Sequence, residues 1–139
     1  MASQIKRPLV LGNFRPLARK PRKKSTWRER RQGMSADHIA CIRKLPCCVC
    51  LKQGPSEAHH LKAGTGERGM SVRSTDRHTV PVCRVHHDAV ERIGTRNEVA
   101  WFREHGGFDC AELAATLWSN TGDVSAMLKV LMVHRGTAP

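Results

Sequence analysis

The sequence predicts a small α+β domain that is stapled by a metal ion. Three observations carry this prediction: helical apolar patterns flank two short strand-like segments, cysteines occur at metal-ligand spacing, and aromatic core residues are scarce. The 139 residues include three Phe, three Trp and no Tyr, which leaves material for one modest core. Small domains bury a smaller share of their surface, and a bound metal is a common way to compensate.

The N-terminal segment, residues 1–33, is predicted to be a disordered basic arm. It contains eleven Lys or Arg and a single acid, a net charge of +10, whereas residues 34–139 carry +2. Its prolines keep the chain extended, so the pattern favours contacts with nucleic acid phosphates over a tail that only aids solubility. The arm residues expected to contact DNA are Lys20, Arg22, Lys23 and Lys24.

Residues 34–107 are predicted to form the functional core, and residues 108–139 a helical extension. In the extension, Leu113 and Leu117, then Met127 and Leu131, recur at helical spacing and indicate core packing. The expected elements are a helix from the cap Ser35 to Pro46, strands at 57–61 and 79–82 separated by a loop, and helices at about 86–93, 98–105, 109–120 and 123–134.

No segment has the pattern of a secretory signal or a membrane span, since the longest early apolar run covers only residues 9–11. We therefore expect a cytoplasmic protein with no membrane partner. In a reducing compartment, six cysteines are expected to serve as metal ligands rather than in disulfides.

The strongest local signal is a split set of metal ligands. Cys47 and Cys50 form one Cys-x-x-Cys pair, and Cys83 and His86 form a Cys-x-x-His pair that starts 33 residues after Cys50. Two tight pairs of thiolate and imidazole ligands suit tetrahedral zinc, with the intervening chain looped out. The alternative is that these cysteines are ordinary buried residues, and Cys48 could replace Cys47 as a ligand.

A second set of residues has no use in a structural zinc site. His59 and His60 lie on the first strand candidate, and His87 and Glu91 stand one helical turn apart on the same face of a helix. Neighbouring strand residues point to opposite faces, so one histidine can bind a metal while the other activates water. This division of labour suits phosphodiester hydrolysis.

With these residues, the segment resembles the ββα-metal core (hairpin plus helix) of the HNH, or His-Me finger, endonucleases. The likeness is greatest to small phage-encoded HNH proteins, which include the phage recombination-enhancement nuclease. The matching stretches are PCCVC at 46–50, SEAHHL at 56–61, GMSVRSTDRHTVPVCRVHHDAVER at 69–92 and AWFREHG at 100–106. The ordered series of Cys-x-x-Cys, His-His and Val-Pro-Val-Cys-x-x-His-His makes it specific.

The resemblance implies a role for each matched position. His60 corresponds to the general base, His59 and His87 to ligands of a catalytic divalent ion, and His78 to the middle position that orients the base. Two positions depart from the family pattern: His78 stands where the family has Asn, and Glu91 where some members have a metal-binding His. A carboxylate ligand favours harder ions, so Mg²⁺ or Mn²⁺ is expected over a second Zn²⁺.

The function expected from the resemblance is metal-dependent cleavage of DNA in phage recombination or packaging, within the bacterial host cell. Basic residues around the predicted site are expected to contact DNA phosphates with little sequence preference; they are Lys62, Arg68, Arg73, Arg77 and Arg84. Two alternatives stay open: a catalytically silent zinc module that binds nucleic acid, and an accessory nuclease that acts only with a phage or host partner docked on residues 107–139, where Trp118 lies.

Overall fold

The computed structural model describes residues 31–65 and 74–137. Within these residues it is an α+β fold of five α-helices and one two-stranded antiparallel sheet. The elements are α1 (Ala36–Lys44), β1 (Glu57–His60), β2 (Thr79–Val82), α2 (Arg84–Ile93), α3 (Glu98–Gly106), α4 (Cys110–Ser119) and α5 (Val124–His134), with short 3₁₀ helices at Asp76–His78 and Thr95–Asn97. Among the described residues, none of the helices is long and apolar enough to cross a membrane.

Helix α1 forms where the sequence predicts it. The Ser35 hydroxyl accepts a hydrogen bond from the His38 amide, so it satisfies one of the free donors in the first turn. The helix ends at Leu45, just before Pro46, and buries Ile42 against the core. The predicted cap and the predicted end of this helix are both confirmed.

The hairpin carries the residues on which the site is built. β1 pairs with β2 so that His59 lies opposite Val80 and His60 lies opposite Thr79. Strand alternation then sends the two histidines to different faces. His59 is buried, whereas His60 borders a surface cavity.

Helices α2 and α3 follow the hairpin and cover one side of it. Cys83 takes the N-cap position of α2, so this helix starts two residues before the predicted His86, and Gly94 ends it at a φ of 77°. Asn97 stands at the N-cap of α3, but its side-chain amide donates to the Ile93 carbonyl rather than capping the new helix.

The C-terminal helices belong to the same core as the hairpin. Leu113 and Leu117 of α4 and Met127 and Leu131 of α5 are fully buried, as their helical spacing predicts. They share one hydrophobic cluster with Phe102 of α3. The core is therefore continuous across residue 107, where the sequence suggests a boundary between core and extension.

Candidate metal centres and the His60 site

The first cluster brings together the four residues of the split ligand set. Cys47 and Cys50 lie on the turn after α1, and Cys83 and His86 lie at the start of α2. The turn closes because the Leu51 amide donates to the Cys47 carbonyl, with Leu51 in the left-handed region at a φ of 59°. Cys47 rather than Cys48 faces the cluster.

The distances in this cluster are close to those between the ligands of one metal ion. The His86 Nδ1 atom lies 3.1 Å from Cys83 Sγ and 3.5 Å from Cys47 Sγ, and the Cys50 and Cys83 sulfurs are 3.9 Å apart. Zn–S and Zn–N bonds of about 2.3 and 2.0 Å place tetrahedral ligands roughly 3.5–3.8 Å from one another. The four side chains could therefore hold a metal such as zinc.

The surroundings of Cys47 and Cys83 shift the pKa values of these two thiols in opposite directions. Burial raises the pKa of the Cys47 thiol above its usual range. At Cys83 burial acts in the same direction, but the His86 amide and the neighbouring cluster thiols outweigh it and lower the pKa. Cys83 is thus the thiol that ionises more readily, whereas Cys47 needs a cation close by to become a thiolate.

The second cluster consists of His59, His87 and Glu91. One candidate ligand atom from each residue lies within 4.8 Å of the others. β1 supplies His59 from the interior, and α2 supplies the other two from a single face, one turn apart. The structure therefore brings together the three residues that the resemblance assigns to the catalytic ion.

Each histidine of the second cluster is held by a carboxylate on one ring nitrogen. His59 Nε2 lies 2.8 Å from Glu98 Oε1, and His87 Nδ1 lies 2.6 Å from Glu57 Oε2. The other nitrogens, His59 Nδ1 and His87 Nε2, lie 3.6 and 4.0 Å from the same oxygen of Glu91. Metal-binding histidines are usually fixed in this way by a carboxylate on the second nitrogen.

The orphaned nitrogen of His59 is the feature that most favours a ligand at this cluster. His59 is 1% exposed, and its Nδ1 atom is buried without a hydrogen-bond partner among the described residues. A buried polar atom left unpaired is costly, and native proteins rarely tolerate it without a ligand, ion or water. A divalent cation between the three side chains would satisfy it, so the donor set fits a metal.

Two further contacts set the charge at the second cluster. Glu98 is 2% exposed and accepts hydrogen bonds from the Lys62 and Ala63 amides as well as from His59; burial opposes its ionisation, but these donors outweigh burial and lower its pKa. The Lys62 ammonium pairs with Glu91 and is the main cause of a lowered pKa for that carboxylate. Both carboxylates are ionised at neutral pH.

On the other face of β1, His60 and Asp76 form a hydrogen-bonded pair. His60 Nε2 lies 2.8 Å from Asp76 Oδ1, and the second oxygen of Asp76 accepts the Ser35 amide at 2.9 Å. Asp76 is buried, whereas His60 borders a cavity of about 450 Å³ that Glu57, Arg43 and other residues also line. We call this the His60 cavity.

The residue hydrogen-bonded to the His60 ring is Asp76, two residues before the His78 that the resemblance assigns to the middle position. A 3₁₀ helix has three residues per turn, so residues 76 and 79 lie on the same face of the turn that precedes β2. Thr79 is the strand partner of His60, and Asp76 is therefore also close to His60. His78 is next to Thr79 in sequence and lines a different cavity, together with Trp118. The carbonyl of His78 nevertheless helps to hold the hairpin, because it accepts the Leu61 amide.

The basic residues predicted to contact DNA divide into three groups. Arg84 lines the His60 cavity, where it also contacts Glu57. Lys62 is engaged with Glu91, and Arg77 lies over the Trp118 ring. The others lie outside the described residues: Lys20, Arg22, Lys23, Lys24, Arg68 and Arg73.

Three carboxylates central to the site were not predicted from the sequence: Glu57, Asp76 and Glu98. Each carboxylate is separated from its histidine by 16 to 39 positions in the sequence, so no short-range spacing indicates the contact. Only Glu57 could have been found from the sequence: it lies two residues before His59 on a predicted strand, and residues two apart on a strand share a face.

The protein is thus an α+β protein with two separate candidate metal clusters among its described residues. The chain belongs to the family described as Protein of unknown function (DUF968), whose model matches residues 19–119. That match includes both clusters and the His60–Asp76 pair. No curated protein and no solved structure matches the chain.

Proposed function

We propose that this protein is a metal-dependent DNA endonuclease of the HNH type that hydrolyses phosphodiester bonds. The observation that carries the proposal is the convergence of His59 Nδ1, His87 Nε2 and the Glu91 carboxylate, next to a histidine–carboxylate pair on the adjacent strand position. The ordered motif series leads to the same family. A phage setting, in recombination or packaging, rests on that resemblance.

The second cluster would hold one divalent ion through two imidazoles and one carboxylate. This mixed donor set suits Mn²⁺ and Mg²⁺ through the carboxylate and Zn²⁺ through the imidazoles. A bound cation would supply Lewis-acid stabilisation of the charge that develops on the phosphate and the leaving oxygen. Glu98 and Glu57 keep both histidines in the tautomer that presents a lone pair to the ion.

His60 is the general base in this proposal, and Asp76 is its positioning residue. The hydrogen bond from His60 Nε2–H to Asp76 Oδ1 fixes the tautomer in which Nδ1 carries the lone pair. That nitrogen takes the proton of the attacking water. The Asp76 carboxylate then stabilises the imidazolium that forms, since it lies 2.8 Å from the ring.

Glu57 connects the proposed base, His60, to the proposed ion site. This residue lines the His60 cavity, and its carboxylate also holds His87 of the second cluster. Arg43 and Arg84 line the same cavity and place positive charge where a DNA phosphate would enter. A phosphate bound there would face His60, and Glu57 links this cavity to the ion ligands of the second cluster.

The first cluster and the basic arm have supporting roles in this proposal. Zinc held by Cys47, Cys50, Cys83 and His86 would fix the turn after α1 to the start of α2 and so set the position of His87. The arm, residues 1–33, would supply affinity for DNA through phosphate contacts that weaken with salt.

A plasmid-nicking assay with Mg²⁺ or Mn²⁺ tests the proposal. Wild-type protein should nick DNA only when the ion is present, and His60→Ala should lose the activity while its zinc content and melting temperature stay unchanged. His134→Ala, on α5 outside both clusters, is the matched control and should cut like the wild type. A folded, zinc-loaded wild type that cuts neither single- nor double-stranded DNA would replace the nuclease with a nucleic acid-binding module.

A further inference from the structure

A second cavity lies between the segment after β1 and helix α4. Its volume is about 370 Å³, which is within the range of small-ligand pockets. Gly64 lines one side, Ala111, Ala115 and Trp118 of α4 line another, and Arg77 also borders it. We call it the Trp118 cavity, and we propose that it binds one unpaired nucleobase of the DNA substrate.

Trp118 provides a fixed aromatic surface for such a base. Its ring is half-buried and meets the buried His38 ring edge-on, with the centroids 4.9 Å apart and the planes at 67°. His38 is held in turn between Thr79 and Thr121 through its two ring nitrogens. The fixed imidazole thus supports the indole on the core side, and a supported aromatic ring is what a stacking platform needs.

Small residues leave space for a flat ring beside the indole. Ala111 and Ala115 are four residues apart, so they lie on one face of α4 along the cavity wall. Gly64 stands on the opposing segment at a φ of 71°, and a Cβ built on it would meet nothing within 4 Å. The cavity therefore has walls without bulky side chains at these three positions, which suits a flat aromatic ligand.

The charge of the cavity favours a nucleotide over an uncharged aromatic ligand. The Arg77 guanidinium lies 5.9 Å from the centre of the Trp118 ring, and His78 is also part of the lining. Among its described lining residues there is no carboxylate, in contrast to the His60 cavity, which contains Glu57 and Asp76. Arginine over an aromatic ring provides a cation for a phosphate next to a surface for base stacking, and the two are found together in sites for single-stranded nucleic acid.

The base must be unpaired, because a paired base inside a duplex has its faces stacked and its edges hydrogen-bonded. The His60 cavity and the Trp118 cavity adjoin at two points of the chain: His60 and Asp76 line the first, and the residues that follow them, Leu61 and Arg77, line the second. The bound base would therefore belong to a nucleotide close to the cleaved phosphate. This inference rests on the proposed function and narrows its substrate to DNA that contains an unpaired nucleotide.

Fluorescence anisotropy on the full chain, without added divalent ion, tests the inference. The probes are a labelled short DNA duplex with one unpaired adenine at its centre and the same duplex fully paired. Wild-type protein should bind the first probe at least about fivefold more tightly, since stacking of one base contributes about 1–3 kcal/mol, a factor of roughly 5 to 150. Equal affinities for the two probes, or no binding of either, would overturn the inference.

Variants distinguish the cavity from the rest of the surface. Ala115→Leu fills the cavity from an exposed helix position without removing Trp118, and it should abolish the preference. Ala100→Leu, an equivalent change at an exposed position of α3, should bind both probes as the wild type does. Trp118→Phe should keep most of the preference and Trp118→Ala should lose it.

The two proposals fail in different ways. A preference that survives in Ala115→Leu overturns the base-binding cavity, whatever the nicking assay shows. Loss of metal-dependent cleavage in every assay overturns the nuclease, whereas the anisotropy comparison of the two probes does not depend on cleavage.

Discussion

Replacing Asp76 with Asn tests how the His60 base is positioned. The carboxylate has two separate contacts: Oδ1 accepts from His60 Nε2 at 2.8 Å, and Oδ2 accepts from the Ser35 amide at 2.9 Å. In Asp76→Asn, the amide oxygen must stay on Ser35, because an NH₂ group there would face another donor. The NH₂ group then faces His60 and donates to Nε2, which moves the ring proton to Nδ1.

The expected result is a loss of catalysis without a loss of fold. With its proton on the wrong nitrogen, His60 cannot accept a proton from water, and the cleavage rate should fall by about 100- to 10,000-fold. This fall corresponds to about 2.7–5.4 kcal/mol in the activation free energy. The melting temperature should change little, whereas Asp76→Ala removes both contacts and should also lose about 1–3 kcal/mol of stability.

Single-turnover nicking rates measure the effect, and ¹⁵N shifts of the His60 ring report which nitrogen carries the proton. The shifts should indicate Nε2–H in the wild type and Nδ1–H in Asp76→Asn. An Asp76→Asn protein that cleaves at the wild-type rate would refute the reasoning that Asp76 positions the base.

Three further predictions concern the metal clusters and a helix cap. Cys50→Ser should lose bound zinc and cooperative unfolding, as measured by metal analysis and thermal melts, whereas Cys41→Ala, outside the cluster on α1, should retain its zinc. Glu98→Gln should weaken Mn²⁺ binding about 10- to 100-fold in calorimetry, because His59 loses the carboxylate that fixes its ring; unchanged affinity would contradict this role. Asp109→Ala should cost about 1 kcal/mol at neutral pH in urea unfolding, because Asp109 caps α4. Bonds from the Glu112 amide and then Arg103 lower the pKa of Asp109, so its contribution is complete above about pH 4 and decreases as the pH falls through the lowered pKa. A gap from the wild type that does not shrink below about pH 4 would be inconsistent with this cause.

The helices and the hairpin could be predicted because their signals are local. Ser35 caps α1 as expected, Gly94 ends α2, and the apolar residues of α4 and α5 lie in the core. Asn97 is the exception, since a preceding 3₁₀ turn leaves its side chain bonded to the turn behind it. The boundary at residue 107 could not be judged from the sequence, because the continuity of a core depends on long-range packing.

The composition of both clusters followed from short-range spacing, but the contacts that support them did not. Cys-x-x-Cys, Cys-x-x-His and the i, i+4 pair of His87 and Glu91 are set by turns and helix geometry alone. Asp76 and Glu98 reach their histidines only after the hairpin and α3 have packed. The motif series indicates His78 as the residue next to His60, whereas the 3₁₀ turn before β2 brings Asp76 to its ring.

The central claim is that cleavage depends on an ion held by the second cluster, and the cleavage rate as a function of Mn²⁺ concentration tests it most directly. His87→Ala removes one of three ligands and leaves the residues of the first cluster in place. The account predicts that the half-saturating Mn²⁺ concentration rises at least about tenfold in this variant, while its zinc content stays that of the wild type. Superimposable curves for the two proteins, or a wild type that does not cleave at any Mn²⁺ concentration, would contradict it.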